Sequence, residues 1–324
     1  MSIAKTWELL DSQAVQGSES RRRIFQESLA DMWLVIAGVP KTRIFRVRIT
    51  QPASFPDLPK GSGIDTQILK LEDNNFYLEV ACTNSSFAEV FDVLVDDLSR
   101  AATNASNVED VTDTVVDRVR LWQEFLKSRM EGLSKESLRG LFGELRVLEL
   151  IGKEFGFVRA VNSWAGPAGF PQDFHLNALA IEVKTTASKN PQSVGIASER
   201  QLDDKNLESL VLWHFSVDER LDLGRTVPEL VQKIRDEVPH AVRSLFEDRL
   251  LQVGYLDIHN HLYKVGFSDR KQTVFDVVQG FPRLVENDCP AGLGDLRYSI
   301  QFGSITAFEI DPRVVFGRVS NANN

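Results

Sequence analysis

The chain has 324 residues, more than one ordinary compact core needs, which favours an N-terminal and a C-terminal domain. Its content of 43% hydrophobic and 26% charged residues is typical of globular proteins and argues against disorder as the default state. A formal net charge of −9 argues against a protein that coats nucleic acid non-specifically, because such coating requires many phosphate contacts.

The N-terminal sequence and the spacing of the cysteines indicate the cellular compartment of the protein. The segment from Met1 to Ser12 lacks the apolar run of a signal peptide, and no apolar stretch is long enough to cross a bilayer. Cys82 and Cys289 are far apart, which predicts neither a zinc cluster nor a disulfide framework. We therefore expect a cytoplasmic protein with no membrane partner.

Strand patterns followed by helix patterns fill the first part of the chain. Apolar runs between turn-forming residues predict strands, and helical spacing of apolar residues then predicts two helices. The predicted strands are Trp33 to Val39, Ile44 to Ile49, Ile64 to Leu71 and Phe76 to Cys82, and the predicted helices are Phe87 to Ala102 and Val108 to Met130. Residues 1–130 are thus predicted to form a smaller α+β domain, and residues 131–324 a second domain.

Two basic strips lie in the first domain. One is Arg21 to Arg23, and the other is the alternating set Lys41, Arg43, Arg46 and Arg48. Either these residues form a solvated strand face, or they contact phosphates and position a duplex without reading its sequence. The first domain is therefore a candidate for binding DNA or a partner.

The second domain opens with a predicted helix. Ser134, or alternatively Ser137, fits the N-cap position before an apolar stripe. At about 100° per residue, Glu144 falls beside this stripe and can face a cleft. Gly140 and Gly143 each cost a helix about 1 kcal/mol relative to alanine. Close helix packing, or room beside Glu144, would explain them.

A charged strand follows this helix. In the predicted strand Leu179 to Thr185, Glu182 and Lys184 point to the same face of the sheet. A tight turn at Asn177-Ala178, or a longer loop with the same register, places Asp173 opposite Glu182. Two carboxylates are thus predicted to meet across a hairpin.

Opposed carboxylates destabilise a sheet unless something compensates their repulsion. Mg²⁺ compensates well because it binds through one or two carboxylates and keeps water and phosphate oxygens, and Mn²⁺ can replace it. Lys184 beside such an ion can orient or deprotonate the attacking water, or neutralise charge that develops on a phosphate. These roles of Lys184 remain open at this point.

This segment resembles the PD-(D/E)XK nuclease superfamily, which has an acid on one strand, Glu-x-Lys on the next and often a glutamate on a preceding helix. The matching residues are Asp173, Glu182-Val183-Lys184 and Glu144, within about residues 134 to 215. The proline lies two residues before Asp173 instead of directly before it. The resemblance implies a restriction-endonuclease-like α/β (α+β) fold, with a mixed sheet flanked by helices. It also implies Mg²⁺-dependent hydrolysis of DNA phosphodiesters, with Asp173, Glu182 and Glu144 at the metal.

More narrowly, the chain is similar to bacterial PD-(D/E)XK-motif proteins of restriction-modification and phage-defence loci, often found beside helicase-like ATPases. The similar segments are Gly143-Glu144-Leu145, Gln172-Asp173-Phe174, Glu182 to Thr186 and Ser198 to Leu202. The resemblance implies DNA as substrate and a helicase-like ATPase as partner. A homodimer would supply the two sites that a double-strand cut needs. The alternative function is a non-catalytic nuclease-fold subunit that binds DNA or a helicase-like partner.

Two further motifs have competing interpretations. Ser198-x-x-Gln201 fits a helix capping box, whereas the resemblance places Gln201 near the active site, on the scissile phosphate. The segment Asp257 to His261 has metal-binding residue types but no second ligand group nearby, so a polar strand face is favoured. No Walker-type glycine loop occurs, so any energy from ATP would come from another subunit.

Overall fold

The computed structural model describes residues 3–321 apart from 16, 27, 51–57, 59–62, 106, 129–131, 190–192 and 291. The chain divides into two compact units, Met1–Met130 and Glu131–Asn324, and each unit has its own main sheet. Within the described ranges, no helix is both long and apolar enough to cross a membrane.

The first unit combines an antiparallel sheet with helices. Its elements are α1 (Ile3–Gln13), β1 (Ser20–Ile24), β2 (Met32–Ala37), β3 (Thr42–Ile49), β4 (Ile64–Lys70), β5 (Phe76–Cys82), α2 (Ala88–Asn104) and α3 (Asp110–Ser128). The strand order is β1-β2-β3-β5-β4. The four predicted strands and two predicted helices are present. The sequence patterns missed α1 and β1, and β1 carries three exposed arginines instead of an alternating apolar pattern.

The second basic strip is not an exposed row. Arg46 is only 4% exposed, and its guanidinium donates to Glu79 on β5 at 2.6 Å and to Glu19 at 2.8 Å. Arg43 donates to Asp11 at 2.9 Å and to Asp92 at 3.1 Å. Both interpretations of this strip required exposed side chains, and for Arg46 that expectation was wrong. The acids that pair with Arg46 come from other parts of the unit, Glu79 from β5 and Glu19 from the residue before β1.

The second unit is built on a mixed sheet. Its elements are α4 (Lys135–Phe155), α5 (Phe157–Ser163), β6 (Phe174–Leu176), β7 (Leu179–Thr186), β8 (Ser193–Ile196), β9 (Ser209–Leu221), β10 (Arg225–Thr226), α6 (Val227–Glu237), α7 (His240–Val253), β11 (Val265–Asp276), β12 (Tyr298–Gln301), β13 (Glu309–Ile310) and α8 (Pro312–Asn321). The strand order is β10-β11-β9-β7-β6, with β13 also on β11, while β8 and β12 form a separate pair. Strands β7 and β9 are parallel and the other pairs are antiparallel. The predicted α+β fold class is confirmed.

The two faces of this sheet have different cores. Alternate residues of β7, such as Ile181 and Val183, pack in a core that contains residues of α4 to α8. Ala180 faces the opposite core, to which β8, β12 and short turns contribute. Because side chains alternate along a strand, Glu182 and Lys184 lie on the same face as Ala180. The charged pair therefore projects away from the helical layer.

Helix α4 begins at the first of its two predicted caps and approaches β7 closely. The Ser134 hydroxyl accepts a hydrogen bond from the Ser137 backbone N–H at 3.1 Å. A Cβ added to Gly143 would lie 1.9 Å from Thr185 Oγ1, so the missing side chain sets the distance between helix and strand. Around Gly140, by contrast, an added Cβ would meet no described atom within 4 Å.

The segment Asp257 to His261 is not a strand. It belongs to a 3-10 helix, Asp257–Leu262, so the expected polar strand face was wrong. Local hydrogen bonds over three residues explain this, since the His259 N–H donates to Leu256 O and the Tyr263 N–H donates to Asn260 O. In the described part of the chain, no group of three or more His, Cys, Asp or Glu residues is placed to hold a metal ion.

Two of the three glycines of α4, Gly140 and Gly143, offer a matched test of this packing. Gly143→Ala should lower the free energy of unfolding by about 1–3 kcal/mol, because its methyl group overpacks against Thr185. Gly140→Ala should raise it by roughly 0.5–1 kcal/mol through helix propensity alone. Urea denaturation measures both changes, and adding Thr185→Ala should reduce the cost of Gly143→Ala. Equal effects of the two alanines would contradict the close approach of α4 to β7.

Candidate active site

The β6–β7 hairpin has the predicted register. Phe174 pairs with Ile181 and Leu176 pairs with Leu179, which leaves Asn177-Ala178 as the turn. Asn177 has φ of 57°, a left-handed conformation that asparagine tolerates better than most residues. The charged residues of β7 are thus held beside the short strand that follows Asp173.

Asp173 lies just before β6, so it is not a ladder partner of Glu182. Its backbone carbonyl accepts hydrogen bonds from the N–H groups of Ala165 at 2.8 Å and Gly166 at 3.0 Å. Its side chain Oδ2 accepts from the Val183 N–H at 2.7 Å. A Cβ on Gly166 would come within 2.9 Å of Asp173 Oδ1. This loop therefore removes Asp173 from the sheet and fixes its carboxylate beside β7.

Trp164 connects Glu144 to this loop. Its indole Nε1 donates to Glu144 Oε2 at 2.8 Å, and its backbone forms an isolated bridge with Phe174. The indole is fully buried. Sequence reasoning gave Trp164 no role. The available signal was that a buried tryptophan usually needs an acceptor for its indole N–H.

Lys184 contacts two predicted site residues. Its ammonium donates to Glu182 Oε1 at 2.6 Å and to Gln201 Oε1 at 3.1 Å. Gln201 Oε1 also accepts from the Ala197 N–H at 2.8 Å, instead of capping the N–H of Ser198. The structure therefore places Gln201 beside Lys184, while its predicted contact with the scissile phosphate stays a prediction.

Gln172 explains how the turn that carries Gln201 is held. Its buried amide Nε2 donates to Arg200 O at 2.8 Å and to Asp203 O at 3.3 Å. The residue between the proline and Asp173 thus has a structural role. Through it, the Asp173 segment fixes the position of the turn beside Lys184.

The sequence matches, over residues 3–303, the family described as "Putative PD-(D/E)XK family member, (DUF4420)". The chain belongs to this family. Searches of curated proteins and of solved structures gave no match. Membership of the PD-(D/E)XK family confirms the resemblance and indicates a nuclease-like, hydrolytic function on nucleic acid.

Two acids of this PD-(D/E)XK site, Asp173 and Glu182, have the oxygen chemistry that a hard divalent cation prefers, although the described residues contain no preformed group of three metal-ligating side chains. Glu182 is 1% exposed, and no donor among the described residues reaches its buried Oε2. A buried oxygen without a partner is costly, and a cation bound through carboxylate oxygens would satisfy it. Asp173 and Glu182 are the side chains that could hold the ion. Glu144 Oε2 already accepts a hydrogen bond from Trp164. Glu144 could therefore contact the ion through its other oxygen or through a water molecule.

Burial controls the protonation of these acids. It raises the pKa of Glu144 to about 8, with a further rise from the charge of Asp173. Burial also raises the pKa of Asp173 to about 6 and holds that of Glu182 well above its usual range, although Lys184 opposes both shifts. A metal ion would therefore compete with protons for this site.

Lys184 is charged in this environment. Burial favours its neutral form, but Glu182 and the neighbouring acids outweigh burial and raise the pKa of Lys184. These contacts therefore give no support to a lowered pKa, which would favour a role as base. The geometry favours an ammonium that orients water or stabilises negative charge.

The raised pKa of Glu144 predicts a pH dependence of stability in metal-free protein. The folded state holds this proton up to about pH 8, whereas an unfolded chain releases it near 4.5. Because the folded state binds more protons across this window, the free energy of unfolding should fall as pH rises through it. Urea denaturation in EDTA should show that Glu144→Gln, which keeps an acceptor for Trp164, flattens this slope. Parallel curves for the two proteins would contradict the buried, protonated Glu144.

Proposed function

We propose that this chain is a Mg²⁺-dependent endonuclease that hydrolyses DNA phosphodiester bonds. The observation that carries the proposal is the buried Glu182 carboxylate, with one unpaired oxygen and with the Lys184 ammonium on the other, next to Asp173. Acidic oxygens and a cation in one pocket suit a reaction at a phosphate. Mn²⁺ is expected to replace Mg²⁺.

Each residue of the site has a role in this proposal. Asp173 and Glu182 would hold the metal, with Glu144 assisting directly or through water. When bound, the metal supplies Lewis acidity toward the phosphate and a more acidic water. Lys184 donates hydrogen bonds to the attacking water or to the phosphate oxygens as negative charge develops. Gln201 accepts from the Lys184 ammonium and acts as a positioning residue.

The biological setting is also part of the proposal. Similarity to PD-(D/E)XK-motif proteins of restriction-modification and phage-defence loci supports a role in bacterial defence in the cytoplasm. The same resemblance supports a helicase-like ATPase as partner, which would supply any energy from ATP because this sequence has no Walker-type glycine loop. A homodimer would bring two sites to one duplex.

A second candidate is a non-catalytic nuclease-fold subunit that binds DNA or the ATPase. The observation that favours it is the ion pair between Lys184 and Glu182, which occupies one carboxylate oxygen. In this case the pocket would keep the ion pair and take no metal.

Metal binding distinguishes the two candidates. Mg²⁺ or Mn²⁺ should raise the thermal midpoint of the wild type, since a ligand at a hundred times its Kd adds about 2.7 kcal/mol of stability. Asp173→Asn and Glu182→Gln should abolish most of this shift, while Glu286→Gln, at an exposed acid, should keep it. Equal shifts in all four proteins would rule out a shared site on Asp173 and Glu182.

Cleavage tests the role of Lys184. Lys184→Ala should lower the rate of DNA cleavage by about 10²–10⁴-fold, the range for losing a positioned proton-transfer group or electrostatic stabiliser. Lys205→Ala, at an exposed lysine, should cleave at the wild-type rate. The assay uses plasmid DNA with Mg²⁺ and a candidate ATPase partner. If an active assembly keeps its rate with Lys184→Ala, the proposed mechanism is wrong. If the wild-type assembly binds DNA but never cleaves it, the non-catalytic function holds.

A further inference from the structure

An exposed phenylalanine lies next to the acidic pocket. Phe170 is 55% exposed, and Phe25, at 42%, is the other exposed aromatic side chain among the described residues. Phe170 precedes Asp173 by three positions. Singly exposed apolar side chains are common on protein surfaces, so exposure alone does not indicate a site. A functional role requires in addition that the chain hold the ring in a defined place.

A short closed loop holds Phe170 in place. The loop is closed at its base, because two backbone N–H groups at its start donate to Asp173 O. Within the loop, the Gly169 N–H donates to Gly166 O at 2.9 Å, and Gly169 has φ of 84°, a conformation that favours glycine. Pro171 fixes its own φ and disfavours the helical conformation for the phenylalanine before it. The ring is thus presented by a restrained backbone.

The ring of Phe170 also has a defined neighbour on the sheet. Its centroid lies 5.4 Å from that of His175, and the two ring planes are tilted by 58°. His175 on β6 pairs with Ala180 on β7, and paired residues share one face of a sheet. That face carries Glu182, the diagonal neighbour of His175, at about 7–8 Å between Cα atoms. The ring therefore lies at the rim of the acidic pocket.

The charge of the chain favours an uncharged contact with DNA. The formal net charge is −9, and Arg43 and Arg46 of the second basic strip bind carboxylates of their own unit. Stacking on an aromatic ring does not depend on charge, and every nucleobase has a face that can stack. An exposed ring beside the pocket would therefore add affinity that the acidic net charge does not oppose.

We propose that Phe170 is a stacking platform for an unpaired nucleobase, next to the phosphate that the acidic pocket binds. The inference rests on the proposed DNA function and specifies the form of the substrate, a strand that is single or locally unpaired at the site. Inside a continuous duplex the neighbouring bases cover each base, so the ring reaches a base only where the stack is open. Because stacking tolerates every base, the contact selects an unpaired strand and not a base sequence.

DNA binding by the full-length protein in EDTA tests the stacking without cleavage. Fluorescence anisotropy measures the affinity for a labelled single strand and for the matching duplex. Phe170→Ala should bind the single strand about 5- to 150-fold more weakly, the range for losing one stacked base, while Phe170→Trp should keep the affinity. The salt dependence should keep its slope, because the lost ring is uncharged. The matched control Leu223→Ala removes an apolar side chain that is 54% exposed, and it should bind like the wild type.

A strand without bases identifies the contact directly. An abasic oligonucleotide of the same length keeps every phosphate and offers nothing to stack. The wild type should prefer the normal strand over the abasic strand, and Phe170→Leu should lose much of this preference because the two changes remove the same contact. Phe170→Leu keeps an apolar side chain over His175, so it separates stacking from a structural role of the ring. Equal preferences in the wild type and Phe170→Leu would overturn the proposal.

Further outcomes separate this proposal from the proposed nuclease function. If the wild type shows the expected dependence on Phe170 but never cleaves DNA, the stacking site holds in a non-catalytic subunit. If the wild type cleaves DNA and Phe170→Ala keeps its affinity, the stacking site fails while the nuclease function stands. Equal losses with duplex and single strand would overturn the preference for an unpaired base. A wild type that binds neither strand would overturn both the stacking site and the DNA function.

Discussion

The ion pair between Glu182 and Lys184 is the interaction on which the candidate active site depends. It joins a carboxylate that is 1% exposed to an ammonium 2.6 Å away. A carboxylate this deeply buried is strongly destabilised unless a positive charge or hydrogen-bond donors compensate it. Lys184 compensates one oxygen and leaves the other without a partner, which is the feature that makes the pocket suited to a cation.

The surrounding structure holds this charged pair in place with small and aromatic residues. Gly143 lets α4 approach the apolar side of β7, while the charged side chains project from the opposite face. Gly166 makes room for Asp173, and Trp164 bonds Glu144 while its backbone bridges β6. These contacts restrict the rotamers of acids that repel each other, which is the arrangement a preorganised site requires.

Buried carboxylates occur in two different electrostatic settings in this unit. In the pocket, Glu144, Asp173 and Glu182 share one ammonium, and burial shifts their protonation. At the other flank of α4, four cations share Glu149, whose pKa is lowered because its cationic partners outweigh its burial. A single helix thus borders an acidic pocket on one flank and a buried carboxylate paired with cations on the other.

The sequence by itself determined the features that depend on neighbours along the chain. The alternation of β7, the cap at Ser134, the turn at Asn177 and the register of the hairpin all follow from local geometry. The family motif then selected Glu144, Asp173, Glu182, Lys184 and Gln201 as candidate site residues, and their roles stay predictions. The strand face expected for Asp257 to His261 was wrong, because hydrogen bonds over three residues stabilise the 3-10 helix Asp257–Leu262 there instead.

Only the tertiary structure decided which partners the charged side chains find. The burial of Arg46 between Glu19 and Glu79, and the gathering of cations at Glu149, join residues that are far apart in the sequence. A periodic pattern predicts which face of a helix or strand a residue occupies, but not which side chains of other elements pack against that face. Burial and charge pairing depend on distances in space, and these are fixed only when separate elements pack together.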